Sequence, residues 1–247
     1  MMVRPSIVVS WPRSCDYPVF RWYMNKYGHY FNQIIIAFTG LKTEHSYEEF
    51  LRGTGLKDVE PIFIDAPMDA SDWRHVAVVE ALKANKSDWV WFTEQDFLYQ
   101  ESFLQTIFNR ENEDEVVGFV EERLHPACLL VSRSMLDKTS KDFSIQPNVA
   151  DHFSKISIEL FAKAKVIPLQ NLGLIEGVHW YHLAGLTHNY TLCRIDRAET
   201  VYKPEEFLTY NYFARYAPVV QTPRFINESS VAEQKVMVCR KLSHLVK

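Results

Sequence analysis

No stretch of this 247-residue chain approaches the roughly 18 apolar residues that a helix needs to cross a bilayer. The opening Met1-Met2-Val3-Arg4-Pro5-Ser6 lacks the apolar core of a secretion signal and runs straight into a strand-like segment, so a cytoplasmic protein without a membrane element is expected. Cysteine is sparse. Cys15, Cys128, Cys193 and Cys239 are scattered with no C-x-x-C pair, which argues against a disulfide frame or a zinc site and fits reduced structural thiols. Neither sign of charge dominates: 27 Lys and Arg against 31 Asp and Glu leave a net charge of −4, with no general attraction for a phosphate backbone. A local basic groove stays open. Glycine numbers 8, and no glycine-rich phosphate loop follows the first apolar segment, where Trp11-Pro12-Arg13-Ser14 stands instead. Repeats, low-complexity tracts and Gly/Ser/Pro linkers are missing too, so one domain over residues 1–247 is expected.

What is present is apolar and patterned. Hydrophobic residues make up 47% and aromatic residues 14%, enough for a sizeable core. Ser6 to Trp11 is β-branched and ends at Pro12, which predicts a first strand. Val19, Phe20, Tyr23 and Tyr27 recur at helical spacing, and Gly28 is a plausible stop. Gln33 to Phe38 is a continuous apolar run, as in strands covered on both faces. A short helix over Tyr47 to Leu51, a strand over Pro61 to Asp65, a helix capped by Ser71 or Asp72 and running to Asn85, and a strand over Trp89 to Phe92 complete the first hundred residues. This alternation predicts an α/β fold with a mostly parallel, Rossmann-like sheet flanked by helices. Beyond it the pattern weakens: a helix over Glu101 to Phe108, strands over Glu115 to Val120 and Ala127 to Val131, a short helix from Ser134, a helix over Asn148 to Ala164 and an edge strand over Val166 to Leu169. Two further helices are expected over Pro204 to Tyr216 and Ser230 to Val246.

The most informative segment is Trp89-Val-Trp-Phe-Thr-Glu-Gln-Asp96, an apolar strand that stops at two carboxylates. Glu94 and Asp96 should lie at the carboxyl edge of a sheet, where open α/β folds bind ligands. In an extended segment, residues two apart point the same way, so both acids can converge on one hard cation. Acid-x-acid triplets are common as solvated loop acids, and the strand context is what raises this one. A second concentration of chemistry lies in Gly177-Val-His-Trp-Tyr-His-Leu-Ala-Gly-Leu-Thr-His-Asn-Tyr190, where His182, then His188, then His179 are candidate metal or diphosphate partners. Trp11, Trp73, Trp89, Trp91, Phe92, Trp180 and Tyr181 cluster around these segments in sequence order and offer flat faces for a base or sugar.

Taken in order, a first strand closing in Ser10-Trp11-Pro12-Arg13, a helix carrying Trp73-Arg74-His75, a strand running into Glu94-Gln95-Asp96 and a late histidine segment resemble a nucleotide-sugar glycosyltransferase of the GT-A fold, over roughly residues 6 to 190. The family motif usually begins with Asp, and Glu94 departs from it by one methylene. The resemblance implies a donor-binding half over 1–110, an acceptor and catalytic half over 111–200 and a helical extension over 201–247. It implies a divalent ion, Mn²⁺ or Mg²⁺, held by Glu94, Asp96 and His182. Ser10, Trp11, Arg13, Asp65, Trp73, Arg74, Gln95, Trp180, Gly185 and His188 would then line the donor and acceptor pocket. Asp151, near an expected helix start, is the first candidate for general base, with Glu121 and Glu122 behind it and His125-Pro126 shaping the acceptor side. The expected partners are a nucleotide-sugar donor and a hydroxyl acceptor, either a saccharide or a hydroxylated base of modified DNA. A nucleotidyltransferase and a non-catalytic nucleotide-sugar-binding module are the alternatives.

Overall fold

The computed structural model describes residues 2–12, 18–39, 61–66, 73–94, 97–121, 123–144 and 153–182. The helices expected over 47–51, 204–216 and 230–246 lie outside the described residues. Within them the chain forms β1 (Ser6–Pro12), α1 (Pro18–Tyr27), β2 (Gln33–Thr39), β3 (Pro61–Ala66), α2 (Trp73–Ala84), β4 (Trp89–Thr93), β5 (Phe97–Tyr99), α3 (Glu101–Ile107), β6 (Glu115–Val120), β7 (Leu124–Ser132), α4 (Arg133–Asp137), α5 (Ser154–Lys163), β8 (Lys165–Pro168) and β9 (Trp180–His182). Seven of these strands make one sheet in the order β3-β2-β1-β4-β7-β6-β8.

The parallel half follows directly from the apolar runs. β2 pairs with β1 and β3, and β1 pairs with β4, all parallel, with Val8 facing Ile35 on one side and Phe92 on the other. Alternation in these strands serves two cores. Ile7, Val9, Ile34, Ile36, Trp89 and Trp91 pack on one face with Tyr23 and Met24 of α1 and Phe103 and Leu104 of α3. Val8, Ile35, Val90 and Phe92 pack on the other with Ala77 and Ala81 of α2 and Ile156 and Leu160 of α5. A strand covered on both faces can carry no polar residue in its middle, which is why these segments read as unbroken apolar runs.

β7 then enters antiparallel beside β4, and β6 antiparallel beside β7, while β8 returns parallel to β6 at the edge. Two boundaries differ from the sequence expectation by three residues or more. β7 begins at Leu124, three residues before Ala127, because Pro126 lies past the last β4 pair, Thr93 with Cys128, where the missing N–H costs no ladder bond. α5 begins at Ser154 and not at Asn148: Phe153 has φ 67°, a left-handed conformation that a right-handed helix cannot run through. The helix expected over 148–164 is therefore shorter at its start.

Candidate active site at the end of β4

The order β2-β1-β4 places a switch point at the carboxyl ends of β1 and β4: β1 connects outward to β2, and the strand on its other side is β4. Such a point leaves a crevice for a ligand. Thr93 fixes the end of β4 by donating its hydroxyl to the Ala127 carbonyl on β7 at 2.9 Å. Glu94 follows, with its side chain 12% exposed. The Phe97 N–H donates to the Glu94 carbonyl at 3.3 Å, and Asp96, expected to share a face with Glu94, lies outside the described residues.

β5 begins at Phe97, and it decides the site. Phe97, Leu98 and Tyr99 pair antiparallel with His182, Tyr181 and Trp180 of β9. β5 is held in turn by α1: the Tyr99 N–H donates to the buried Tyr23 hydroxyl at 2.9 Å, and the two rings stack 4.2 Å apart. Burial pushes the Tyr23 phenol far above its ordinary range, so it stays neutral and serves as a fixed acceptor. Trp180 stacks on Phe97 and packs against Phe119, donating its indole N–H to the Leu174 carbonyl. These contacts lock β9 in register, and the register sets His182 beside the end of β4.

The His182 Nε2 lies 2.9 Å from a Glu94 carboxylate oxygen, with the imidazole 9% exposed. His125, on β7, joins them: one ligand atom from each of Glu94, His125 and His182 lies within 4.8 Å of the others. The His125 and His182 rings meet edge to face at 4.8 Å. A half-buried carboxylate with imidazoles around it is a fitting donor set for a divalent ion that accepts nitrogen ligands, and a poorer one for Mg²⁺, which prefers oxygens. The rim is acidic. Burial pushes the Glu176 carboxyl up, His182 pulls it back and Glu121 pushes it up again, which puts Glu176 within electrostatic reach of His182 and of Glu121. Burial, aided by Glu176, also pushes the Tyr181 phenol up.

The structure thus brings Glu94 and His182 together from positions 88 residues apart in number (182 − 94). Ser10 and Trp11 stand near the carboxyl end of β1, and Asp65 stands near that of β3, on the sheet edge that Glu94 occupies. Trp73 and Arg74 open α2. Glu121 is an exposed residue at the β6–β7 turn, 4.0 Å from Arg123. Trp180 is 1% exposed, so its ring fills the core beneath the site and offers no face for a substrate to stack on. Arg13, Gln95, Asp96, Glu122, Asp151, Gly185 and His188 lie outside the described residues. His179 is described; its Nδ1 accepts the Ile175 N–H at 3.0 Å, in the turn before β9. Sequence reasoning placed His125 on the acceptor side and did not join it to the acids, because its link to Glu94 depends on the antiparallel register of β7. Glu176 carried no signal: an isolated acid in a turn has no pattern to read.

Comparison with solved structures gives the fold a relative. A mannosyltransferase from Pyrobaculum calidifontis, solved in complex with GDP-Man and Mn²⁺, superposes with a TM-score of 0.53 over 98% of this chain and 70% of its own, at 12% identity. The fold is GT-A-like. An inositol-1-phosphate CTP transferase from T. maritima matches 81% of this chain and 99% of its own at TM-score 0.48 and 10% identity. A 4-diphosphocytidyl-2C-methyl-D-erythritol synthase from Anaerococcus prevotii matches 67% and 86% at TM-score 0.48 and 14% identity. At that score these two carry no weight on their own. No protein-family model matches the chain, and no curated protein matches it. No helix among the described residues is long and apolar enough to cross a membrane.

Proposed function

We propose that this chain is a metal-dependent glycosyltransferase that moves a sugar from a nucleotide-diphosphate sugar to a hydroxyl acceptor. The observation that carries the reading is the Glu94–His182 pair, 2.9 Å apart at the carboxyl end of β4. It sits at the switch point of a fold shared with a mannosyltransferase that was solved with GDP-Man and Mn²⁺. Glu94, Asp96 and His182 would hold the ion, and the imidazole favours Mn²⁺ over Mg²⁺. When bound, a divalent ion supplies positive charge against the diphosphate that departs as the sugar–phosphate bond breaks.

The remaining roles fall to the chain itself. Ser10, Trp11, Arg13 and Asp65, at or just past the ends of β1 and β3, would bind the nucleoside, and Trp73, Arg74 and Gln95 would complete the donor pocket. Arg74 is a cation that no ordinary pH neutralises, which suits a phosphate. Gly185 and His188 would follow β9 to the diphosphate. In an inverting transfer Asp151 or Glu121 would take the acceptor proton, and either must then lie across the sugar from the leaving group. The acceptor is a saccharide or a hydroxylated base of DNA, and in the second case a basic groove must flank the site.

The test is incubation with UDP- and GDP-sugars and Mn²⁺, with products resolved by mass spectrometry. Release of nucleoside diphosphate that depends on Mn²⁺ and falls at least about a hundredfold in Asp96→Ala supports the reading. Release of pyrophosphate from nucleoside triphosphates, with no diphosphate from any sugar donor, makes the chain a nucleotidyltransferase. Donor binding that survives Asp96→Ala and Glu94→Ala unchanged removes the ion from the account.

A further inference from the structure

Three side chains meet at this site, and their hydrogen-bonding states are not equivalent. His125 is 8% exposed, its ring tilted against Phe119 at 5.1 Å and edge-on to His182 at 4.8 Å. Its Nδ1 accepts the backbone N–H of Ala127 at 3.1 Å, across Pro126, whose fixed ring holds that short turn. A ring nitrogen that accepts an N–H has its lone pair engaged, and in the neutral imidazole the proton is then on Nε2. Neither nitrogen is thereby offered to a cation. Ligation through Nδ1 would take the acceptor from the fully buried Ala127, and ligation through Nε2 would require that nitrogen to lose its proton while Nδ1 keeps its bond.

We propose that His125 is a positioning residue and not a ligand: held as the Nε2–H tautomer by Ala127, it presents its proton to the Glu94 carboxylate and so orients Glu94 and His182 as the ligand pair. A carboxylate has two oxygens and about four lone-pair sites, so it accepts from an imidazole and binds an ion at once. Partners behind a ligand fix its direction and tune its basicity. His125 stands beside the pair, with one of its nitrogens within 4.8 Å of a Glu94 oxygen and of a His182 nitrogen. This proposal rests on the ion assigned to the site under the proposed function, but not on which group is transferred.

Two measurements test it. In ¹⁵N-histidine NMR of the metal-free protein, His125 should show a protonated Nε2 and an unprotonated Nδ1, and the reverse tautomer overturns the proposal. In pulsed EPR with Mn²⁺ or Cu²⁺, one coordinated imidazole is expected, lost in His182→Ala and kept in His125→Asn. Two coordinated imidazoles, one of them lost in His125→Asn, make His125 a ligand and overturn it. Asn is the informative replacement because its side-chain oxygen can still accept the Ala127 N–H two residues on and its amide can still donate. Mn²⁺ affinity should fall about 10- to 100-fold in His125→Ala and recover to within a few-fold of wild type in His125→Asn. Equal affinity in His125→Ala and wild type, with both folded by near-UV circular dichroism, also overturns it. A wild-type chain that transfers sugar yet binds no Mn²⁺ or Cu²⁺ defeats this proposal and the metal dependence of the transfer while leaving the sugar transfer itself standing, whereas a chain with this metal signature and no transfer defeats the glycosyltransferase reading alone.

Discussion

Gly118 on β6 has no space for a side chain: a Cβ there would stand 2.9 Å from the Cys128 carbonyl and 3.3 Å from a Leu124 methyl. The first neighbour is backbone and cannot swing away. Gly118→Ala should therefore cost about 1–3 kcal/mol, read as a lower urea midpoint at unchanged slope. Because Cys128 sits at the β7 position that pairs with Thr93, the same substitution should disturb the end of β4. Electrostatics at single residues give a second expectation. Asp142 feels burial, which pushes its carboxyl up, but hydrogen bonds from the Ser144 hydroxyl and N–H and from Lys155 outweigh it and hold the group at about 2 against an ordinary 3.8. A depressed carboxyl contributes stability that is complete above the unfolded value and lost as pH falls through the folded one. Asp142→Asn should thus lower the melting temperature near neutral pH, with the gap to wild type closing as pH drops from about 4 to about 2. A gap that is flat over that range would remove the carboxylate from the account.

The decisive elements are the shortest. β5 and β9 have three residues each, too few to show a period in the sequence, yet their pairing carries His182 to Glu94. Trp180 anchors that pairing from below. Trp180→Ala removes a ring that is 1% exposed and should cost about 3–5 kcal/mol by calorimetry. Since the loss falls two residues before His182, Mn²⁺ affinity should drop with it, at temperatures where the variant is still folded. Full metal affinity in folded Trp180→Ala would show that β9 does not depend on this packing. Longer elements were legible because their patterns are local: β1, β2, β3 and β4 are apolar runs at the expected positions, and α1 shows the expected helical spacing. Where sequence and structure part, a single residue explains it: Phe153 in the left-handed region stops α5 short, and Pro126 hides the start of β7.

At the scale of the whole molecule, two apolar layers sandwich the sheet and leave its carboxyl edge as the place where polar side chains gather. Ligand there would be bound by the folded chain and not by the unfolded one, so it must stabilise by mass action. Mn²⁺ with a GDP- or UDP-sugar should raise the melting temperature more than either alone, about 2.7 kcal/mol of stabilisation being expected at a hundredfold excess over Kd. Strictly additive shifts from ion and donor would mean that they occupy separate places, against a shared site at Glu94.

The sequence by itself determined the parallel half of the sheet, the two cores around it and the placement of an acid at the end of β4, because burial on both faces writes an unbroken apolar run and its end marks the sheet edge. Only the tertiary structure decided what faces that acid. Glu94, His125 and His182 come from three segments whose meeting depends on β7 entering antiparallel beside β4 and on β9 pairing with β5. Those choices are fixed by the packing of residues distant in sequence, and no local pattern records them.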